Sequence, residues 1–190
     1  MKLHLASRSP RRRELLVQIG VEYECLDVEI NEDWDGKELA RDYVARMALE
    51  KAQAGLSKIQ RGQGDLILAA DTSVVLDDVV LGKATNEDEA MAMLTSLSGR
   101  CHHVYTAVAL VGKDQQVCVN LNRVYFRSLT PKECQQYCAT REPFGKAGGY
   151  AVQGLGAIFI ERIEGSYSGI MGLPLFETAN LLRSAGLEIL

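Results

Sequence analysis

The feature that most constrains this chain is a short apolar strand that runs directly into an arginine-rich helix start. Leu3–Ala6 has the pattern of a buried strand, and Ser7-Arg8-Ser9-Pro10-Arg11-Arg12-Arg13 follows it without a linker. Ser9 suits an N-cap and Pro10 the first helical position, which predicts a helix from there to Gly20. Such a turn leaves backbone N–H groups unpaired at the positive end of the helix dipole, and guanidinium groups add bidentate donors. The turn predicts a phosphate site, although a solvated helix end with packed arginine stems is the alternative.

Strand and helix patterns alternate along the rest of the chain. Apolar runs predict strands at 21–28, 66–70, 73–76, 79–81, 101–111, 117–127 and 157–161. Helical spacing of apolar residues predicts helices at 38–56, 86–97, 130–139 and 175–185, with a polar linker at 57–64. Because no linker is long enough to separate independent domains, we expect residues 1–190 to form one α/β domain.

The overall charge limits the class of partner. A net charge of −4 does not fit a protein that binds nucleic acid over a broad surface, because that mode needs many cations on one face. Segment 8–13 also has no aromatic residues on which bases could stack. The sequence contains no run of about 18 apolar residues and no secretory signal pattern at its start. We therefore expect a cytoplasmic protein that binds neither nucleic acid nor membrane.

A carboxylate separates two apolar runs near the middle of the chain. The run 66–70 is typical of a strand covered on both faces, and it ends at Asp71-Thr72 before the run 73–76. Lys83 follows the hairpin that comes next. Asp71 is either a capping residue at a strand end or a functional carboxylate facing a cleft.

A glycine-rich segment, 143–154, is the third group of candidate functional residues. Its glycines permit close approach of the backbone to a ligand, Lys146 can neutralise charge, and Gln153 offers both a donor and an acceptor to a base edge. The segment matches neither the phosphate-binding lysine loop nor the dinucleotide fingerprint, so alone it fits a turn-rich connector equally well. We hypothesise that all three groups converge on one cleft.

The cysteines favour a reduced protein. The five residues, at positions 25, 101, 118, 134 and 138, are odd in number and form no C-x-x-C pair, so we interpret them as reduced core thiols. A metal site built from Cys134, Cys138 and His102-His103 is disfavoured, because adjacent residues on a strand point to opposite faces.

Taken together, these motifs resemble the Maf family of nucleotide pyrophosphatases over essentially the whole chain. In the first half the resemblance rests on Leu5-Ala6-Ser7-x-Ser9-Pro10-Arg11-Arg12, Glu50-Lys51-Ala52, Ala69-Ala70-Asp71-Thr72, Gly82-Lys83, Ser98-Gly99 and Tyr105-Thr106. In the second half it rests on Lys146-Ala147-Gly148-x-Tyr150-x-x-Gln153-Gly154, Gly165-Ser166-Tyr167 and Gly172-Leu173-Pro174-Leu175. The Asp-Thr pair and the segment from Tyr150 to Gln153 resemble the subgroup that acts on dTTP and UTP.

The resemblance implies a fold, a reaction and a set of site residues. The fold would be a twisted mixed β-sheet with flanking helices, in two lobes around a central cleft, as in Maf and inosine triphosphatase-like proteins. The reaction would be hydrolysis of a nucleoside triphosphate to the monophosphate and pyrophosphate. Asp71 would be the proton acceptor, Arg11, Thr72 and Gln153 would select the substrate, and the phosphate and metal region would be lined by Ser7, Arg12, Glu32, Lys51, Lys83 and Lys146. A homodimer, removal of unwanted nucleotides and a link to restraint of septum formation are also implied.

The chemistry of anhydride cleavage fits these residue types. It needs an oriented water, a carboxylate to accept the proton, and cations to neutralise the developing charge. Mg²⁺ prefers carboxylate and phosphate oxygens, so Asp71 and Glu32 are the candidate ligands for it, with Mn²⁺ or Co²⁺ as alternatives. Whether Asp71 acts as base, ligand or both stays open, as do turnover of other nucleotides and a nucleotide sensor without turnover.

Two positions depart from the family pattern. Arg8 stands where a small residue is usual between the two serines, and Ala84 stands where proline usually follows Gly-Lys. We expect Arg8 to add a phosphate contact or narrow the entrance, and Ala84 only to loosen a turn.

Overall fold

A computed structural model describes residues 1–59 and 64–189 as one mixed sheet with helices on both faces. The strands are β1 (Leu3–Ala6), β2 (Glu24–Leu26), β3 (Leu66–Leu76), β4 (Val79–Leu81), β5 (Cys101–Val111), β6 (Gln115–Phe126) and β7 (Ile160–Glu164). The helices are α1 (Pro10–Gln18), α2 (Ala40–Leu56), α3 (Glu87–Leu97), α4 (Pro131–Ala139), α5 (Tyr167–Met171) and α6 (Leu175–Ser184). The predicted α/β class with a mixed sheet and flanking helices is confirmed.

The sheet order is β2-β1-β3-β5-β6-β7, with β4 paired to one end of β3. β1 runs parallel to β2 and β3, whereas the β3–β5, β5–β6 and β6–β7 pairs are antiparallel. Along the same edge of β3, β1 pairs with Leu66–Leu68 and β4 pairs with Val74–Leu76. Within the described residues, the stretch of β3 from 69 to 73 therefore has no neighbouring strand on that edge.

Three apolar clusters hold helices to this sheet. One face of β3 carries two of them, one packed with α1 and α6 around Leu68 and the other with α3 and α4 around Val74. The third lies on the opposite face, where α2 covers Ala69. The clusters at the two ends of β3 form the two lobes, and the stretch of β3 that is open on one edge lies between them.

Local sequence signals set several helix boundaries. Pro10 begins α1 after Ser9, as predicted, although the Ser9 side chain makes no capping hydrogen bond. Thr130 and Glu133 form a capping box in which each side chain accepts from the other's backbone N–H, which satisfies two unpaired donors at the start of α4.

Four predicted strands differ in the structure. The strand predicted at 21–28 is limited to Glu24–Leu26. The strand predicted at 157–161 is wrong in its first part, because Leu155–Phe159 forms a 3₁₀ helix and β7 begins at Ile160. The apolar run cannot distinguish these two structures, since a short buried run fits either. The runs 66–70 and 73–76 are one continuous strand, β3.

Three other predictions concern the linker, the cysteines and membrane-spanning segments. Residues 60–63 of the predicted linker 57–64 lie outside the described residues. All five cysteines are free, as predicted, but only Cys134 and Cys138 are buried, so the interpretation of the others as core thiols is wrong. Within the described ranges, none of the helices has the length and apolarity that crossing a bilayer requires.

Candidate active site

A cavity of about 840 Å³ lies beside the stretch of β3 that is open on one edge within the described part of the chain, and the three predicted groups converge on it. Its lining includes every site residue proposed from the sequence, namely Ser7, Arg11, Arg12, Glu32, Lys51, Asp71, Thr72, Lys83, Lys146 and Gln153. The described lining residues include six lysines and arginines but four carboxylates, so the cavity is locally cationic in a chain of net negative charge. Such a surface favours a polyanionic ligand.

The turn between β1 and α1 forms one wall. The Ser7 hydroxyl oxygen accepts from the Ser9 N–H at 3.1 Å, which closes the turn at the start of α1. Arg12 Nε donates to the Gly172 carbonyl oxygen at 2.8 Å, and its Nη2 donates to Thr72 Oγ1 at 3.3 Å. Burial lowers the pKa of Arg12 and of Arg11 below the ordinary range, although nearby Asp71 partly offsets the effect at Arg12. Both guanidinium groups are thus partly desolvated before any anion binds.

A row of alternating charges also lines the cavity. Lys51 Nζ lies 2.6 Å from Asp71 Oδ1 and 2.6 Å from Glu32 Oε1, and Lys83 Nζ lies 2.7 Å from Glu32 Oε2. Burial alone would raise the pKa of Glu32, but the hydrogen bonds from Lys51 and Lys83 outweigh it and lower the pKa to about 2. The loop at Glu32 is held in place because the Tyr43 hydroxyl donates to the Glu32 carbonyl oxygen at 2.6 Å.

Asp71 is not at a strand end, which corrects the expectation from the sequence. It lies in the middle of β3, paired with Ala107 of β5, and it is 8% exposed. It reaches the cavity because the edge of β3 beside it is open between β1 and β4. The capping interpretation of this carboxylate is therefore wrong.

Thr72 points to the face of β3 opposite Asp71, because successive side chains alternate. Its Oγ1 lies 3.0 Å from Thr106 Oγ1, which is 2.7 Å from the Gly169 carbonyl oxygen. When the single Thr106 proton bonds that carbonyl, the Thr72 hydroxyl donates to Thr106 and accepts from Arg12. This chain of hydrogen bonds fixes the Thr72 hydroxyl at the cavity wall.

The glycine-rich segment is attached to the segment that carries Lys83. Lys83 and Ala147 form an antiparallel bridge, and the Gly148 N–H donates to the Gly82 carbonyl oxygen at 3.1 Å. Gly148 has φ +67°, and a Cβ there would lie 2.8 Å from Val74 Cγ1, so only glycine fits without displacement. The bridge brings Lys83 and Lys146 to the same side of the cavity.

Two lining residues were missed as candidate site residues. Tyr150, quoted only as part of a family motif, is buried beside the cavity, with its hydroxyl 2.8 Å from His102 Nε2. Burial raises the pKa of Tyr150 and lowers that of His102 to about 4. Glu142 accepts hydrogen bonds from the loop that carries Gln153. The one sequence signal for Glu142 is its place directly before the glycine-rich segment.

Arg8 and Ala84, the two residues that depart from the family pattern, lie in different surroundings. Arg8 lines the cavity and forms ion pairs with Asp27 and, at 3.4 Å, with Glu29. It therefore ties the turn to the loop after β2. Ala84 is fully buried, and its carbonyl oxygen accepts from the Gly145 N–H at 2.9 Å, so this turn keeps a backbone connection.

The carboxylates of Glu32 and Asp71 are the part of the cavity suited to a divalent cation. Both approach one ammonium nitrogen, so they already surround a cation, and carboxylate oxygens are the ligands that Mg²⁺ prefers. No group of three or more histidines, cysteines or acidic residues within the described residues is arranged to hold a metal ion. A cation at this pair therefore needs further ligands from water or from a bound phosphate.

The relatives found by comparison with known proteins agree with one another in family and in name. The sequence model of a family described as Maf-like protein matches residues 2–185. A dTTP/UTP pyrophosphatase of Methylobacillus flagellatus is 49% identical over 189 residues, which cover 99% of this chain and 94% of that protein. Similarly named proteins of Bordetella avium and Cupriavidus metallidurans are each 50% identical, over 99% and 98% of this chain and 97% and 98% of theirs.

Among solved structures, a nucleoside-triphosphatase described as a dITP/XTP pyrophosphatase, from Mycobacterium abscessus, covers 97% of this chain and 95% of its own. Its TM-score is 0.46, and it is 19% identical in sequence.

Proposed function

The chain belongs to the Maf family, and from that membership we propose that it is a nucleoside triphosphate pyrophosphatase that converts dTTP and UTP to dTMP and UMP with release of pyrophosphate. The observation that carries the proposal is the convergence of the arginine turn, the Asp71-Thr72 pair and the glycine-rich segment on one cationic cavity. Relatives named dTTP/UTP pyrophosphatase align with nearly the whole chain, so the alignment spans all three segments.

Arg12, Lys83 and Lys146 are the proposed phosphate-binding residues. A triphosphate carries about four negative charges, and the excess of cations in the cavity lining complements it. Arg12 is held by Gly172 and Thr72 before binding, so it loses little conformational freedom when it contacts a phosphate. Preorganised donors of this kind stabilise the negative charge that develops on the oxygens during cleavage.

Asp71 is the proposed proton acceptor. In the proposed step, a water oxygen forms a bond to the α-phosphorus, the bond from that phosphorus to the bridging oxygen breaks, and pyrophosphate leaves. The water proton passes to the Asp71 carboxylate. Among the described residues, the side-chain hydrogen bonds of Asp71 involve only Oδ1, through Lys51, and Oδ2 remains to accept the proton.

A divalent cation, Mg²⁺ or alternatively Mn²⁺ or Co²⁺, fits the Glu32 and Asp71 carboxylates and is part of the proposal. When bound, it supplies electrostatic stabilisation of the phosphate oxygens. The Lys51 ammonium group lies between the two carboxylates and offsets part of their negative charge, and Lys83 also pairs with Glu32.

Base selection is assigned to Gln153, together with Thr72 and Arg11. The Gln153 side chain lines the cavity and carries both a donor and an acceptor, which suits the amide edge shared by uracil and thymine. Other nucleotides, including modified pyrimidines and purines, are the competing substrates.

The test is pyrophosphate release from a panel of nucleoside triphosphates, with and without Mg²⁺. Asp71→Asn is compared with wild type and with Asp88→Asn, a matched change on the exposed first turn of α3. We expect metal-dependent formation of dTMP and UMP by wild type and Asp88→Asn, and a loss of at least about a hundredfold for Asp71→Asn. Nucleotide binding without pyrophosphate release by the wild type would instead indicate a sensor.

The proposal also includes a homodimer in the cytoplasm. Its ligand is a nucleoside triphosphate, and neither nucleic acid nor a membrane is a partner. Light scattering coupled to size-exclusion chromatography tests the dimer, because it gives the mass in solution directly. The implied link to septum formation stays a prediction.

A further inference from the structure

Glu142 is an acidic residue at the edge of a cavity proposed to bind a polyanion, and its contacts explain how it is accommodated. Its Oε2 accepts from the Leu155 N–H at 2.9 Å, and its Oε1 accepts from the Gly156 N–H at 3.0 Å. The Tyr137 hydroxyl donates to the same Oε1 at 2.7 Å. Because three donors surround the carboxylate, its charge is satisfied within the protein, and a role as phosphate or metal contact is disfavoured.

Tyr137 extends the same arrangement to the other end of the loop. Its hydroxyl oxygen accepts from the Ala151 N–H at 3.2 Å while its proton goes to Glu142. The pair therefore holds the backbone at Ala151, two residues before Gln153, and at Leu155 and Gly156, two and three residues after it. Among the described residues, no side-chain hydrogen bond is seen for Gln153 itself, so its position depends on this backbone.

The end of α4 is shaped to bring the two partners together. The helix ends at Ala139, and Arg141 adopts φ +64°, a left-handed conformation that is uncommon for a residue with a side chain. The Glu142 N–H donates to Thr140 Oγ1 at 3.2 Å, which completes the turn. This reversal directs Glu142 back to Tyr137 on the last turns of α4.

Gly154 shows that the loop is fitted closely around the carboxylate. A Cβ on Gly154 would collide with both Glu142 oxygens and its carboxyl carbon. Glycine at this position therefore lets the loop close over Glu142.

We propose that Glu142 and Tyr137 form a positioning pair that fixes the Ala151–Gly156 loop so that Gln153 discriminates between nucleobases. The inference rests on the proposed function, and it deepens that function by extending base selectivity to two residues that hold the loop carrying Gln153. Glu142 and Tyr137 are positioning residues, because they act through the loop backbone.

The experiment compares selectivity for UTP over CTP, which share the sugar and the triphosphate and differ at the base edge. The variants are Glu142→Gln, which places an NH₂ group opposite an N–H donor, and Tyr137→Phe, which removes the hydroxyl and keeps the ring. Glu133→Gln is the matched control, because the Glu133 carboxylate also accepts a backbone N–H, from Thr130 at 2.8 Å, but does not line the cavity. Hydrogen exchange of the 151–157 amides is measured on the same proteins.

We expect the kcat/KM ratio of UTP to CTP to fall by about tenfold in both variants, because loss of one well-placed hydrogen bond corresponds to about that factor. Exchange at 151–157 should accelerate in both, while Glu133→Gln keeps both the ratio and the exchange of the wild type. Faster exchange with an unchanged ratio would overturn the positioning role, and so would unchanged exchange.

These outcomes separate failure of the inference from failure of the proposed function. If the wild type releases no pyrophosphate from any nucleotide, the proposed function fails. The positioning role is then decided on the ratio of UTP to CTP binding constants, measured by calorimetry on the same variants. Equal ratios in wild type and Glu142→Gln would overturn it.

Discussion

Stability between pH 8 and pH 5 should depend on one histidine, His102. This side chain is 1% exposed on β5, and its Nε2 is 2.8 Å from the hydroxyl of Tyr150 in the cavity wall. Its ring packs edge-on against Phe126 and Tyr150, with centroids 5.0 and 5.4 Å away. Nδ1 has no hydrogen-bond partner within the described residues. Protonation would therefore place a charge among aromatic rings with one N–H unpaired.

Burial, helped by nearby His103, lowers the pKa of His102 from 6.5 to about 4 in the folded protein. Because the pKa of His102 is higher in the unfolded chain, the unfolded chain takes up the proton at a higher pH than the folded protein does. The free energy of unfolding is therefore highest above pH 6.5, and it decreases as the pH falls towards 4. The full decrease in the free energy of unfolding is about 3 kcal/mol, of which about 2 kcal/mol is lost between pH 8 and pH 5. Glu32, with a pKa of about 2, is ionised in the folded protein throughout this range.

Urea unfolding at several pH values between 5 and 8 measures this difference. His102→Phe keeps an aromatic ring but cannot titrate, so it should remove most of the pH dependence while lowering stability at every pH, because Tyr150 loses its partner. His103→Gln, the neighbouring change, should retain the dependence. The reasoning is refuted if the wild type is equally stable at pH 5 and pH 8, or if His102→Phe shows the same slope.

Two further predictions concern the cavity walls. Gly148→Ala should destabilise the protein by about 3 kcal/mol in urea unfolding, because the added Cβ would collide with Val74. The control is Gly20→Ala, which has a similar φ of +69° but nothing within 4 Å of the added Cβ, and it should destabilise the protein by only about 1 kcal/mol. Equal losses would show that the close approach to Val74 is unimportant. Arg12→Lys should raise the KM for UTP by at least about tenfold, because lysine cannot reproduce the forked guanidinium group that donates to Gly172 and Thr72. Arg13→Lys, at a residue outside the cavity lining, is the control and should leave the KM unchanged. A similar KM in both variants would contradict the phosphate-binding role of Arg12.

Local patterns in the sequence predicted most elements and three of the segments that line the cavity, whereas Glu32 and Lys51 were implied by the resemblance to the Maf family. The apolar spacing of α2, the proline at the start of α1 and the Thr130–Glu133 capping box each depend on residues within a turn or two of one another. The errors occur where one local pattern fits two structures. The short apolar stretch before β7 is a 3₁₀ helix, and the apparent break at Asp71 lies inside a continuous strand.

The sequence by itself determined which residues bear charge, which faces of the helices are apolar, and that an arginine-rich turn follows β1. Only the tertiary structure decided that β1 and β4 leave β3 open at Asp71 and Thr72, so that side chains from both faces reach one cavity. It likewise decided that Glu142 reaches across to the loop that carries Gln153. The physical reason is that periodicity encodes the face of each element, whereas the register of strands and the contacts of distant loops depend on how all the elements pack together.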